Sequence, residues 1–219
     1  MEWTLTNFLF SRSLISKEGV NVNEVDEDQR TALHWAAANG RLDCVEALYA
    51  KGAKLETVDE AGWTPLMSAA STGKLNCVQY LVSNGADATV VNEDNRSALF
   101  YASSKGFEEI VKLLIRAGAS ANVVDEQKST PLHRASIRGN EGIVRALIKA
   151  KANISAADVN GDTPMHLAVQ EGHERIVAML HEEGASFDEA NGDGYTAEQL
   201  ANTDRMKNVI RGLKKGSYE

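Results

Sequence analysis

The tripeptide Thr64-Pro65-Leu66 recurs along this chain as Thr31-Ala32-Leu33, Ser97-Ala98-Leu99, Thr130-Pro131-Leu132, Thr163-Pro164-Met165 and Thr196-Ala197-Glu198. Every step is 33 residues, without insertion or deletion. No other feature constrains the fold as much, because a unit this short cannot bury its apolar face alone and must stack on its neighbours. The 219 residues are therefore expected to form one repeat domain, 1–219, that grows by stacking.

Each unit carries its own start and stop signals. Thr64 stands where its hydroxyl caps a first helix, and Pro65 takes the first helical position, where no N–H is needed. Gly40, Gly73, Gly106, Gly139 and Gly172 break that helix in a single column. A second segment follows with Cys77, Val78, Leu81 and Val82 on one stripe, answered one period later by Ile110, Val111, Leu114 and Ile115. Gly85-Ala86 ends it with a residue that tolerates the left-handed region. Lys151-Ala152 departs from that stop, at a local cost because lysine disfavours positive φ.

The connections read as turns. Asp26, Asp59, Asn92, Asp125, Asp158 and Asn191 form a column of side-chain acceptors for backbone N–H groups. Three residues on, Gly62, Gly161, Gly194 and Asn95 tolerate positive φ, while Gln29 and Lys128 break the column. Each unit is thus expected as turn, helix, turn, helix. Residues 1–25 read as a degenerate first unit in which Trp3, Leu5, Phe8, Leu9, Leu14 and Ile15 cover the open end of the core. Five regular repeats are expected over 26–190, and a last unit over 191–219 with Arg205 in the glycine column and Arg211, Lys214 and Lys215 on a solvated outer face. Irregular ends suit a self-contained array, whose terminal repeats need such a face.

Composition removes several functions. A net charge of −8 opposes non-specific attraction to nucleic acid and to anionic lipid. No apolar run approaches the ~20 residues of a membrane span, and the start Met-Glu-Trp-Thr-Leu has no basic n-region of a signal peptide. Cys44 and Cys77 stand one period apart. Stacked helices lie ~8–10 Å apart, whereas a disulfide wants Cα atoms within ~7 Å, so both are expected as buried thiols in a reducing, intracellular compartment. His34, His133 and His166 share a column with Met67 and Phe100, which cannot bind metal, so the histidines are expected to bond backbone in the next turn. His173 and His181 lack a third ligand at useful spacing. No nucleophile–base–acid arrangement and no phosphate-cradling loop stands out. No catalytic residue, metal or cofactor is expected, and the chain is not expected to be an enzyme.

The opening Thr130-Pro131-Leu132-His133-Arg134-Ala135, the glycine after it and the Gly-Ala stop are similar to the ankyrin repeat. That resemblance implies an all-α solenoid of about seven stacked helix-turn-helix units with protruding β-hairpin-like loops and a concave binding face. A finer likeness lies in Asp28 to Ala36, Asp59 to Leu66, Tyr101 to Lys105 and His133-Arg134-Ala135, which resemble the gankyrin family of proteasome assembly chaperones. This likeness implies a scaffold, a monomer of cytoplasm and nucleus, that holds the C-terminal domain of a proteasomal ATPase subunit through complementary charges. The positions it implicates are Asp28, Arg30, Glu60, Trp63, Lys105 and Glu171. Vertebrate members carry an L-x-C-x-E motif tied to retinoblastoma protein; Leu167-Ala168-Val169-Gln170-Glu171 has valine in place of the cysteine, and the first thirty residues match poorly. A generic adaptor for a kinase or transcription factor is the alternative.

Residues the repeat does not dictate are where a partner would be read. Arg30, Trp63 and Arg96 stand at the loop tips beside an acidic fringe that includes Asp28 and Glu60. Trp35, Tyr101 and Arg134 stand on the first helices, with Lys105, Arg138 and Glu171 half a turn further on. Surface charge is usually mere solvation, but tryptophan and tyrosine near arginine are what interface hot spots are enriched in. Lys105, Arg134 and Arg138 are expected to meet carboxylates, and Asp28, Glu60 and Glu171 basic residues, giving orientation and on-rate. Arg30→Glu or Lys105→Glu is expected to weaken binding with little loss of stability.

Overall fold

The computed structural model describes Ile15 and residues 19–216. The end cover expected from Trp3, Leu5, Phe8, Leu9 and Leu14 lies outside the described residues, while Ile15 is 1% exposed. The chain divides into two compact units, Met1–Ser120 and Ala121–Glu219.

In the first unit, helices α1 (Ala32–Asn39), α3 (Pro65–Ser71) and α5 (Ala98–Lys105) pack side by side. Helices α2 (Leu42–Ala50), α4 (Leu75–Ser83) and α6 (Glu108–Arg116) form a second row, each against the first helix of its own repeat. The second unit repeats the arrangement with α7 (Pro131–Arg138) beside α9 (Pro164–Gln170), and with α8 (Glu141–Lys149), α10 (Glu174–Glu182) and α11 (Asp204–Lys214) in sequence. The first helices begin as their sequence requires: Thr64 and Ser97 accept from the N–H groups of Met67 and Phe100, both at 3.2 Å. Helices this short are marginal alone, so packing holds them. Leu33, Leu66 and Leu99 from the first helices meet Val45, Leu48, Val78, Leu81, Val111 and Leu114 from the second, all buried. Leu132, Ile143, Val144, Leu147, Met165, Val177 and Leu180 do the same in the second unit. Each such side chain contributes about 1.5–3 kcal/mol. Cys44 and Cys77 are buried free thiols within this layer.

The glycine column has a packing cause as well as a conformational one. A Cβ on Gly73 (φ +76°) would lie 2.8 Å from the Phe107 ring, and one on Gly139 2.6 Å from the His173 ring. At the loop tips the break in the other column is one of residue type only. Gln29 and Lys128 adopt φ of 61° and 56°, close to the 77° of Gly62, and Lys151 takes 63° at its helix stop.

Successive tips are joined backbone to backbone. Glu60 donates its N–H to the Asp28 carbonyl at 3.1 Å and Glu93 to that of Ala61 at 3.2 Å. In the second unit Val159 donates to Gln127 at 2.9 Å and Gly192 to Asn160 at 2.7 Å. The tips close by isolated bridges such as Val25 to Thr31 and Val91 to Ser97, so the loops are hairpin-like, with no extended strand among the described residues.

The last unit differs from the expected pattern. Its first segment, around Thr196–Leu200, is a turn and not a helix, although Gln199 takes the Thr196 N–H through Oε1 at 2.8 Å as the column's histidines do elsewhere. Helix α11 still seats Met206, Val209 and Ile210 in the core, and Arg205 pairs with Glu174 at 2.6 Å.

Candidate protein-binding face

The tips are built on the turn column. Oδ1 of Asp26 accepts the N–H groups of Asp28 (3.1 Å) and Arg30 (2.8 Å), and Asp59 takes those of Ala61 (3.0 Å) and Trp63 (2.8 Å). Asp125 holds Gln127 (3.1 Å) and Ser129 (2.9 Å) in the same way. The second side-chain atom reaches the first helix. Trp35 Nε1 donates to Asp26 Oδ2 at 2.9 Å, and Arg134 Nη2 to Asp125 Oδ2 at 3.1 Å. Asn92 Nδ2 donates to the Tyr101 hydroxyl at 3.0 Å. The corresponding residue on α3 is Ser68, whose hydroxyl donates to the Thr64 carbonyl, and Asp59 Oδ2 instead accepts Arg30 Nε at 3.3 Å from the preceding tip. The choice of Asp or Asn therefore follows the partner. Indole and guanidinium only donate and meet Asp; the phenol oxygen, and the Asp162 carboxylate at 2.8 Å from Asn191 Nδ2, accept and meet Asn. Burial works against the Asp26 carboxylate, but the donors of Trp35, Arg30 and Asp28 outweigh it and hold its pKa below the ordinary 3.8.

The histidine column ties tip to helix as the sequence implies. Nδ1 of His34, His133 and His166 accepts the N–H of Thr31 (3.1 Å), Thr130 (3.1 Å) and Thr163 (3.2 Å). Nε2 must then carry the proton, which it donates to the carbonyls of Trp63 (2.8 Å), Asp162 (3.0 Å) and Glu189 (3.0 Å). Burial holds the pKa of His34 and His133 below 6.5. These are structural bridges. Among the described residues no group of three or more His, Cys, Asp or Glu side chains is placed to hold a metal ion.

On the first unit this scaffolding carries an aromatic surface. The Trp63 ring lies 4.3 Å from that of Tyr101, tilted by 35°. Arg30 stands 5.4 Å over the Trp35 ring, with Asp28 at 3.3 Å on one side and buried Asp59 at 3.3 Å on the other. Between α1 and α3 the small Ser68 leaves a groove of about 360 Å³ walled by Trp35 and Trp63. Arg96 pairs with Asp94 at 3.3 Å and covers Phe100.

The candidate residues thus fall into two groups. Arg30, Trp35, Trp63, Arg96, Tyr101 and Arg134 are half-buried and bound into the tips. Asp28, Glu60, Lys105, Arg138 and Glu171 are exposed. Asp28 pairs with Arg30; the side chains of the other four make no hydrogen bond or ion pair among the described residues. One expectation needs correction: Arg30 answers a carboxylate only 7% exposed, so reversing its charge removes structure as well as surface. The period marked Asp26 and Asp125 as turn formers, but their second oxygens were missed. A donor nine residues on, as at Trp35 and Arg134, was the available signal.

Such an arrangement defines a class: a helix-pair repeat protein that presents a framed surface of side chains. The model of ankyrin repeats in three copies matches residues 7–92 and 84–158, and that of the single ankyrin repeat matches 160–192. The chain belongs to the ankyrin-repeat family, and the all-α ankyrin fold expected from its period is the fold observed. It is similar to the crystal structure of the human ASB11 ankyrin repeat domain, at 27% identity and a TM-score of 0.83 over 94% of each chain. No curated protein matches. Ankyrin repeats make the chain a protein-binding scaffold.

Proposed function

We propose that this protein is a gankyrin-like assembly chaperone of the proteasome regulatory particle, capturing the C-terminal domain of one ATPase subunit on its tip-and-first-helix face. The reading is carried by the open charges Glu60 and Lys105 around an aromatic array already fixed by its own hydrogen bonds. A pre-ordered aromatic surface loses little conformational entropy on binding, and the open charges of both signs orient a mixed-charge partner. Arg138 and Glu171 extend the same chemistry to the second unit. The protein acts by occlusion, as a monomer of cytoplasm and nucleus, without catalysis. Support also comes from Arg30, Trp35, Trp63 and Lys105, positions ordinary ankyrin repeats leave open and the gankyrin resemblance fills.

Calorimetric titration of the full chain with the C-terminal domain of its host's matching proteasomal ATPase subunit tests this. Micromolar or tighter binding, weakened by salt, is expected. An absence of heat at several temperatures, with both proteins folded, would reduce the protein to an ankyrin adaptor for another partner.

A further inference from the structure

The turn column leaves one acceptor open. Asp158 Oδ1 takes the N–H groups of Asn160 (2.8 Å) and Asp162 (3.0 Å), as its counterparts do in theirs. Its Oδ2 has no hydrogen bond or ion pair among the described residues. Where other repeats carry Trp35, Tyr101 or Arg134, this one carries Leu167, which has no donor. The tip before it, which gives Arg30 to Asp59 in the first unit, here gives Ser129, a residue without charge. Asp162, the other carboxylate of this tip, is already bonded to Asn191. Asp158 and Leu167 are both half-buried. A half-buried carboxylate oxygen without a donor is short of one partner, and an aliphatic residue at the column position that supplies the donor elsewhere suits the methylene stem of a long basic side chain.

We infer that Asp158 and Leu167 form a docking point for a basic side chain of the bound protein, arginine above lysine. The partner supplies from outside the guanidinium that Arg134 supplies to Asp125 from within. Arginine is favoured because its planar fork matches a carboxylate edge and its charge is weakly hydrated. This inference rests on the protein-binding reading and not on the partner's being an ATPase domain.

The test uses the full chain and Nα-acetyl-arginine amide as probe, followed by amide NMR shifts. Wild type is expected to show saturable shifts clustered on Asn160 to Thr163 and Leu167, absent in Asp158→Asn and in Leu167→Arg. Leu167→Arg is further expected to raise the melting temperature when Asp158 is present and not when it is replaced by asparagine. Scattered shifts in wild type, or the same change of melting temperature in both backgrounds, overturns the docking point. With the ATPase C-terminal domain, Asp158→Asn is expected to lose about tenfold or more in affinity, the scale of one desolvated charge contact. Probe binding at Asp158 without any binding of that domain upholds the docking point and refutes the proteasome reading.

Discussion

Arg30 and Lys105 looked alike in the sequence, two cations on one face, yet the structure gives them different work. Arg30 lies between Asp28 and buried Asp59 and over the Trp35 ring, and Arg134 reaches buried Asp125 in the same spirit. Lys105, Arg138 and Glu171 stand at the ends of their first helices with exposed, open side chains. The corresponding residues in the first two repeats turn back on their own helix, Asn39 to the Trp35 carbonyl and Thr72 to that of Ser68. Position on a binding face therefore does not make a residue a binding residue; what decides is whether the fold already uses its charge.

Substitution breaks this comparison most sharply at Asp125. Asp125→Ala removes two backbone bonds and the buried carboxylate of the Arg134 ion pair, for an expected loss of about 3–5 kcal/mol. Thermal unfolding should show a fall on the order of 10 °C. Arg30→Glu sets like charges against Asp59 and should cost about 2 kcal/mol, whereas Lys105→Glu and Arg138→Glu should stay within roughly 0.5 kcal/mol of wild type. Equal melting temperatures for Arg30→Glu and Lys105→Glu would erase the distinction.

Acid probes the tips through their histidines. The pKa of His34 and His133 is held below 6.5 in the folded chain, so the unfolded chain takes up protons first as pH falls. Stability is full above about pH 6.5 and is lost progressively below it, until the folded-state values are reached. Urea unfolding at pH 8 and pH 5.5 should show the drop, and a double replacement of His34 and His133 by glutamine should flatten it. The smallest effect is expected at the strained tips. Lys128→Gly relieves a φ of 56° and should stabilise by roughly 0.5–1 kcal/mol, readable as a higher urea midpoint.

The fold was legible because the period, the Thr-Pro starts and the glycine stops report backbone geometry directly. The same rule hid two things. Gln29 and Lys128 looked like breaks, yet neighbouring tips bonded at Glu60 to Asp28 and Val159 to Gln127 hold those backbones in place whatever the side chain. The segment from Thr196 to Leu200 keeps the threonine start and its N–H bond, through Gln199, and is nonetheless a turn. Of the face, the positions of Trp35, Trp63 and Tyr101 were readable, while their bonds to Asp26 and Asn92 and the Trp63–Tyr101 stack were not, since those depend on contacts made only in three dimensions.

The most direct test of the account is the affinity of Lys105→Glu for the proteasomal ATPase C-terminal domain, measured beside wild type at matched melting temperature. The account predicts a loss of about tenfold or more in affinity, shrinking as salt rises, with no change in unfolding. Equal affinities for the two chains, or a loss that tracks a fall in melting temperature, would contradict it.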